Sequence, residues 1–406
     1  MNAMSRNRDD LIVVLDIGSM YTRVLVAEVY EDVPRYCGHG IVASAGMRKG
    51  LIAELGLATR AVEAAVKQAE FAARINIGEC VVGVGGPHIA GLNTNGGIEL
   101  SGRVREINEE DVRRAVKQAQ SIEKPPDRRI LHLLRRQYIL DGQPGISDPA
   151  GMVGKRLEVD LHIATCSESA FQSTVTCANR AGLEVTEAVL ESIAAAESTL
   201  YADERELGIC LIDIGCHSTD LIVFYEGAVV HTASIRIGGQ HFTNDLAKIL
   251  GMPVAQAEEL KRHYGHAVVT DVPMDAAIEI HNPQPETLSL RKMAEILEPR
   301  ACELLYYVKD SLREGGVLEA LGAGCVLTGG GAMLPGMLYL AESQLRVPAR
   351  IGTPVRLSTN MPGELAHPSF SVAIGMIQYA QRIKKNAVEP NTTFSSRLRS
   401  AFAGTY

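Results

Sequence analysis

The chain contains no tryptophan, and aromatic residues make up only 5 % of it. It has no run approaching the roughly 18 uncharged apolar residues of a membrane span, so no segment is expected to cross a bilayer. The polar start MNAMSRNRDD, followed by an apolar run cut at Asp16, does not read as a signal peptide. Positive charge is not in excess: 40 Lys and Arg face 48 Asp and Glu, a net charge of −8, so a nucleic-acid partner is not expected. Neither CxxC nor HExxH occurs. His263 and His266 share a helical face without a third ligand, so a metal centre built from side chains alone is not expected. Most of the eight cysteines lie in apolar stretches such as GICLIDIG and GAGCVLTGG, and buried, reduced thiols are expected. GxxxxGK[ST] is also missing, which excludes a Walker-type ATPase. At 406 residues and 46 % hydrophobic content, a soluble, intracellular protein of two or more domains is expected.

What the chain does have is a repeat. LIVVLDIGSMYTRV at 11–24 is echoed by GICLIDIGCHSTDL at 208–221. Asp16 matches Asp213, Gly18 matches Gly215 and Thr22 matches Thr219 at a constant offset. Each copy is a β-branched run of the kind a buried strand shows, turns at D-I-G, and enters a second apolar run. The pattern predicts a β-hairpin with a polar turn, twice. Both halves continue into Gly-rich stretches, amphipathic helices and short strands such as VVGVGG and CVLTGGG. Strand-rich stretches between such helices make the fold α/β or mixed.

The turns have the chemistry of a phosphate clamp. A glycine there lets backbone N–H groups approach phosphate oxygens, and the hydroxyls of Ser19, Thr22, Ser218 and Thr219 can add bonds. Asp16 and Asp213 suit a hydrated Mg²⁺ held through water. One D-I-G serves equally as a plain strand-ending turn. Two copies together with TGGGAMLPG at 328–336 point to nucleotide binding by a duplicated domain.

DIGSMYT, DIGCHSTD and LTGGGAM resemble the two phosphate motifs and the adenosine motif of the actin, hexokinase and heat-shock-chaperone ATPase superfamily. AEELKRHYG at 257–265 resembles the segment that sets a Glu and a Lys against the ribose, here Glu258 and Lys261. AVLESIAAAES at 188–198 and PSFSVAIGMIQYA at 368–380 are similar to its two connecting helices. Within the superfamily, DRRILHLLRRQYILDGQPGISDPAGMVGKRLEVDLHIA at 127–164 resembles the inserted subdomain of the bacterial cell division protein FtsA family. ADERELGICLIDIG and MAEILEPRACELLYYV are also close to that family, and the likeness covers roughly residues 10–385.

The resemblance implies a two-lobed actin-like (ribonuclease-H-like duplicated) α/β fold with a nucleotide cleft for ATP and Mg²⁺. It places the start of the first lobe at 1–86, the inserted subdomain at 87–163 and the remainder of the first lobe at 164–197 and 356–386. The second lobe takes 198–355, with an upper subdomain at about 228–307, and 387–406 form a linker and C-terminal amphipathic helix. One phosphate loop is Gly18, Ser19 and Met20; the other is Gly215, Cys216, His217 and Ser218, with Gly238 and Gly239 close by. Gly329, Gly330 and Gly331 are expected against adenosine, and Asp16 and Asp213 around Mg²⁺. Glu191 is the candidate to orient a water on the γ-phosphate; its place equally suits a capping or surface carboxylate. The second motif departs from the family pattern at Cys216-His217-Ser218, where small residues are usual. His217 either turns outward or touches the γ-phosphate. The lysine common in the first motif is replaced by Tyr21, with Arg23 close by. ATP therefore reads as a switch for polymerisation, hydrolysed slowly at most.

In the tail, Phe394, Leu398 and Phe402 fall at i, i+4 and i+8, flanked by Arg397 and Arg399. This is an interfacial anchor or a frayed end. As an anchor it supplies about 5–6 kcal/mol, a dissociation constant near 0.1 mM, which becomes firm only when a filament links several tails. The resemblance also implies that the C-terminal peptide of the tubulin-like FtsZ docks near Arg300; the alternative is pairing of Arg300 with Glu298 or Glu303 on its own helix. The expectation is an actin-like division protein that polymerises on ATP and anchors FtsZ polymers to the anionic cytoplasmic face of the inner membrane at midcell. It would also help recruit later division membrane proteins. The rivals are a PilM-like pilus assembly scaffold and an actin-fold small-molecule kinase.

Overall fold

The computed structural model describes residues 10–100, 104–121, 125–281 and 284–388. The first lobe opens with a three-stranded antiparallel meander, β1 (Leu11–Ile17), β2 (Tyr21–Tyr30) and β3 (Val33–Ala43). A small hairpin, β4 (Met47–Arg48) and β5 (Leu51–Ile52), leads into α1 (Leu55–Ala73), whose alanine-rich face packs on β2 and β3. β6 (Glu79–Val84) then runs parallel to β1.

The chain next leaves the lobe to build a separate layer. β7 (Ala90–Glu99), β8 (Arg105–Glu106), α2 (Glu109–Gln120), β9 (Arg128–Leu140), β10 (Gln143–Ile146), β11 (Val153–Gly154) and β12 (Arg156–Ser167) follow in order. Four of these strands form a sheet in the order β10-β9-β12-β7, against which α2 lies. The start of α2 is set by a capping box, Asn108 accepting the Asp111 N–H and Asp111 accepting that of Asn108. Leu157, Val159, Leu161 and Ile163 alternate along β12 into a small core of their own. The chain returns through α3 (Glu168–Arg180) to β13 (Glu184–Leu190), parallel to β6, and then to α4 (Glu191–Thr199).

The second lobe repeats the first. After α5 (Ala202–Leu207), a meander of β14 (Ile209–Ile214), β15 (Thr219–Tyr225) and β16 (Ala228–Ile235) forms. Helices α6 (Gly239–Leu250) and α7 (Val254–Tyr264), the hairpin β17 (Ala277–His281) and β18 (Pro285–Ser289), and the long α8 (Leu290–Glu314) follow. β19 (Gly324–Thr328), α9 (Met337–Leu345) and β20 (Ala349–Ile351) complete it. The first sheet has the order β13-β6-β1-β2-β3 and the second β16-β15-β14-β19-β20: each is a meander extended by two parallel strands. Residues 228–235, expected at the start of the upper subdomain, pair instead as an edge strand of this sheet. Their apolar run continues the D-I-G hairpin, so the sheet claims them.

The chain finally crosses back as α10 (Ser371–Val388), which packs along α4. The two helices touch backbone to backbone, because a Cβ on Gly375 would sit 1.6 Å from the Ala194 carbonyl oxygen. The second sheet separates two cores by strand periodicity. Ile209, Leu211, Ile222 and Phe224 face the first-lobe core, whereas Cys210, Ile212, Leu221 and Val223 face the helices of the second lobe. The inserted layer also reaches across the lobes. Buried His162 on β12 bonds Asn93 at 2.7 Å and Thr232 on β16 at 2.8 Å, and Asn93 donates to the Val230 carbonyl.

Candidate functional site

A cleft of about 430 Å³ lies between the lobes, and the two repeated turns form facing parts of its wall. In the first, Asp16 pairs across the hairpin with Arg23 and Ile17 with Thr22, leaving Gly18, Ser19 and Met20 as the loop. In the second, Asp213 pairs with Asp220 and Ile214 with Thr219, and the loop is closed by the Gly215 N–H donating to the Ser218 carbonyl at 2.9 Å. The N–H groups of Gly18, Ser19, Met20, Cys216, His217 and Ser218 donate to no acceptor among the described residues. Two loops with spare donors thus line one cavity, an arrangement suited to an anion such as phosphate.

Thr22 and Thr219 play a different part from the one their sequence positions suggest. Both are buried. The Thr22 hydroxyl bonds Ser44 Oγ at 2.9 Å, and Ser44 in turn donates to the Gly18 carbonyl. The Thr219 hydroxyl donates to the Ile237 carbonyl at 2.8 Å. Each threonine therefore braces its loop from behind, while Ser19 and Ser218 remain on the cleft wall.

Four carboxylates and one guanidinium gather beneath the loops: Asp16, Glu191, Asp213, Asp220 and Arg23. Arg23 Nη1 donates to Asp16 Oδ2 at 2.8 Å, and its guanidinium lies over the rings of Tyr21 and Phe370. A cation thus enters the cleft two residues beyond Tyr21. Burial, reinforced by the Asp220 and Asp16 charges, pushes Asp213 up to about 7. Burial likewise pushes Asp220 up to about 6. Glu191 is held well above the usual carboxylate range by burial and then by Asp16, Asp220 and Asp213. It sits at the start of α4 against Gly85, where a Cβ would meet its Oε2 at 2.0 Å. Among the described residues no three such groups converge on a direct metal site, so these carboxylates suit only a hydrated divalent cation held through water, whose charge would offset their repulsion.

The remaining wall comes from the second lobe. Lys261 Nζ donates to the Gly239 carbonyl at 2.9 Å, Thr243 Oγ1 at 2.8 Å and Glu258 Oε2 at 2.7 Å. Gly329 follows β19 at φ +80°, a conformation that favours glycine, and a Cβ there would lie 2.2 Å from Asp213 Oδ1. Gly330 and Gly331 follow in a short 3₁₀ turn, and Met333, Leu334 and Pro335 add apolar surface.

Of the residues singled out from the sequence, the cleft brings together Asp16, Gly18, Ser19, Met20, Glu191, Asp213, Gly215, Cys216, His217, Ser218, Gly239, Glu258, Lys261, Gly329, Gly330 and Gly331. Gly238 is not on its wall; it caps α6 and packs on the Gly215 and Cys216 carbonyls. Asp220 is an addition, and Gly85 backs Glu191 from outside the cleft wall. Asp220 takes the register that Arg23 holds in the first hairpin, so the repeat contained its signal. Arg300 is remote, on α8, with its guanidinium bonded to Asp245 at 2.6 and 3.1 Å and to Glu303. Glu298 instead accepts the Val269 N–H. Phe394, Arg397, Leu398, Arg399 and Phe402 lie outside the described residues. No described helix is long and apolar enough to cross a membrane.

Among solved structures, the PilM-PilN type IV pilus biogenesis complex includes a chain that superposes with a TM-score of 0.65 at 17 % identity, over 90 % of this chain and 97 % of that one. MreB5 of Spiroplasma citri bound to ADP gives 0.56 at 16 % identity, over 93 % and 98 %. At these identities the likeness is one of fold, and the fold is the two-lobed actin-like α/β type. Sequence goes further. The family model "Cell division protein FtsA" matches residues 210–375, and "SHS2 domain inserted in FTSA" matches 86–165. The cell division protein FtsA of Pseudomonas aeruginosa is 36 % identical over 95 % of this chain and 93 % of its own length. That of Escherichia coli K12 is 33 % identical over 95 % and 94 %. With relatives this similar over nearly their whole length, the chain belongs to the FtsA family of cell division proteins.

Proposed function

We propose that the chain binds ATP in the cleft, polymerises, and anchors FtsZ polymers to the cytoplasmic face of the inner membrane. The observation that carries the ATP reading is the pair of equivalent loops, rich in spare N–H groups, that line one cavity. They would take the phosphate oxygens, Lys261 and Glu258 the ribose, and Gly329 to Gly331 the adenosine. Arg23 supplies a cation where the family usually has a lysine at the position of Tyr21. Asp16 and Asp213, joined by Asp220, would hold a hydrated Mg²⁺ through water; when bound, the ion neutralises phosphate charge. The ADP and AMPPNP bound to the MreB5 neighbour, which shares the fold, support this reading.

Glu191 would orient a water. While it holds its proton it takes none from water, which suits a slow switch better than a rapid enzyme. The inserted layer would make filament contacts and meet later division proteins. Arg300 would meet the acidic, apolar FtsZ peptide, which must compete with Asp245 for the guanidinium. The tail from Phe394 to Phe402 would lie in the anionic membrane surface.

Flotation with anionic vesicles tests the whole reading, comparing the full chain with one ending at Lys385, with and without ATP. The full chain should float, more so with ATP, and the shortened one should stay in solution. If both stay in solution, the anchoring role is wrong.

A further inference from the structure

In the repeat, Met20 and His217 occupy equivalent places, each the second residue after the loop glycine, and both line the cleft. They differ in chemistry. The Met20 side chain has no hydrogen to donate, whereas His217 carries an imidazole. Nδ1 of His217 is buried and has no hydrogen-bond partner. A proton on that nitrogen would be left without an acceptor, so it belongs on Nε2, the ring's other polar atom. The ring is also located along the cleft. A Cβ on Gly50, in the turn between β4 and β5, would lie 3.7 Å from His217 Cβ and 3.0 Å from Pro87. Gly85, two residues before Pro87, holds Glu191. His217 therefore stands on the Glu191 side of the cleft, whereas Gly330, Met333 and Lys261 form the wall assigned to the nucleoside.

We propose that His217 reads the terminal phosphate, its Nε2–H donating to a γ-phosphate oxygen of a bound nucleoside triphosphate, so that this chain separates triphosphate from diphosphate by a side chain. The proposal rests on the ATP reading above. Burial and the nearby His241 hold the imidazole below its usual pKa, so it meets the phosphate as a neutral donor. The first loop, with Met20 at the matching position, offers no side-chain donor there.

The test is equilibrium titration of the full chain with ATP and with ADP, each with Mg²⁺, for the wild type, His217→Ala and His217→Gln. His217→Ala should weaken ATP about tenfold, as expected for one hydrogen bond to a charged group, and leave ADP within about twofold. His217→Gln, whose amide can donate, should recover most of the loss. Unchanged ADP binding also shows that the variants fold. Equal loss for ATP and ADP, or no loss for either, overturns the proposal and leaves ATP binding standing. A wild type that binds neither nucleotide overturns the ATP reading, and this proposal with it.

Discussion

Asp213 and Asp220 face each other across the β14–β15 pair, with Asp16 and Glu191 adding to the field. In the unfolded chain such a carboxylate titrates near 3.9, whereas folding lifts Asp213 to about 7 and Asp220 to about 6. The folded protein therefore binds protons that the unfolded chain has already lost. Stability from these groups is complete below about pH 4 and is lost as pH rises toward 7. Urea midpoints of the nucleotide-free protein should accordingly fall between pH 5 and 8, and Asp220→Asn should flatten that slope. An unaltered slope in the variant would show that the cluster is not the cause. At this scale the chain was only partly legible. The glycines and aspartates of the two turns were readable as cleft residues because hairpin period and loop curvature restrict residue type. The duties of Thr22 and Thr219 were not, because a hydroxyl beside a loop can serve a ligand or a carbonyl, and only Ser44 and Ile237 decide which.

Among the elements, the two hairpins were evident because period and turn chemistry are local properties. What joins the elements was not. His162 reads as one histidine in an apolar strand, but it ties β12 of the inserted layer to β16 of the second lobe. Burial holds it near pKa 3, so it is neutral at physiological pH and bonds through one donor and one acceptor nitrogen. His162→Ala would strand the buried Thr232 hydroxyl and open a cavity, and should cost about 2–4 kcal/mol. A urea denaturation series checks this, and a loss below about 1 kcal/mol would mean the bridge contributes little. The edge strand Ala228–Ile235 belongs to the same lesson: its apolar residues fit either a sheet or a subdomain until the neighbouring strand is known.

The whole molecule is two similar halves with a shared face. The second sheet lends one side to the first-lobe core, and α4 and α10 cross backbone to backbone between the halves. The cleft, which the starts of α4 and α10 help to line, draws residues from both lobes, so a ligand held there ties them together. Mg²⁺ and ATP at about 100 times their dissociation constant should add about 2.7 kcal/mol to unfolding, raising the melting temperature by a few degrees. No rise at saturating nucleotide would rule out binding to the folded cleft.

The sequence by itself determined the duplicated hairpins, the glycine turns, the absence of other nucleotide motifs and the family resemblance. These follow from short-range rules: strand period, turn geometry and residue spacing. Tertiary structure alone decided that Asp220 joins the acidic cluster, that Gly238 supports the cleft from outside it, and that Arg300 is already engaged by Asp245. It also decided that the inserted layer leans on the second lobe. Those outcomes depend on which residues distant in the chain come within hydrogen-bonding and electrostatic range, and no local pattern carries that information.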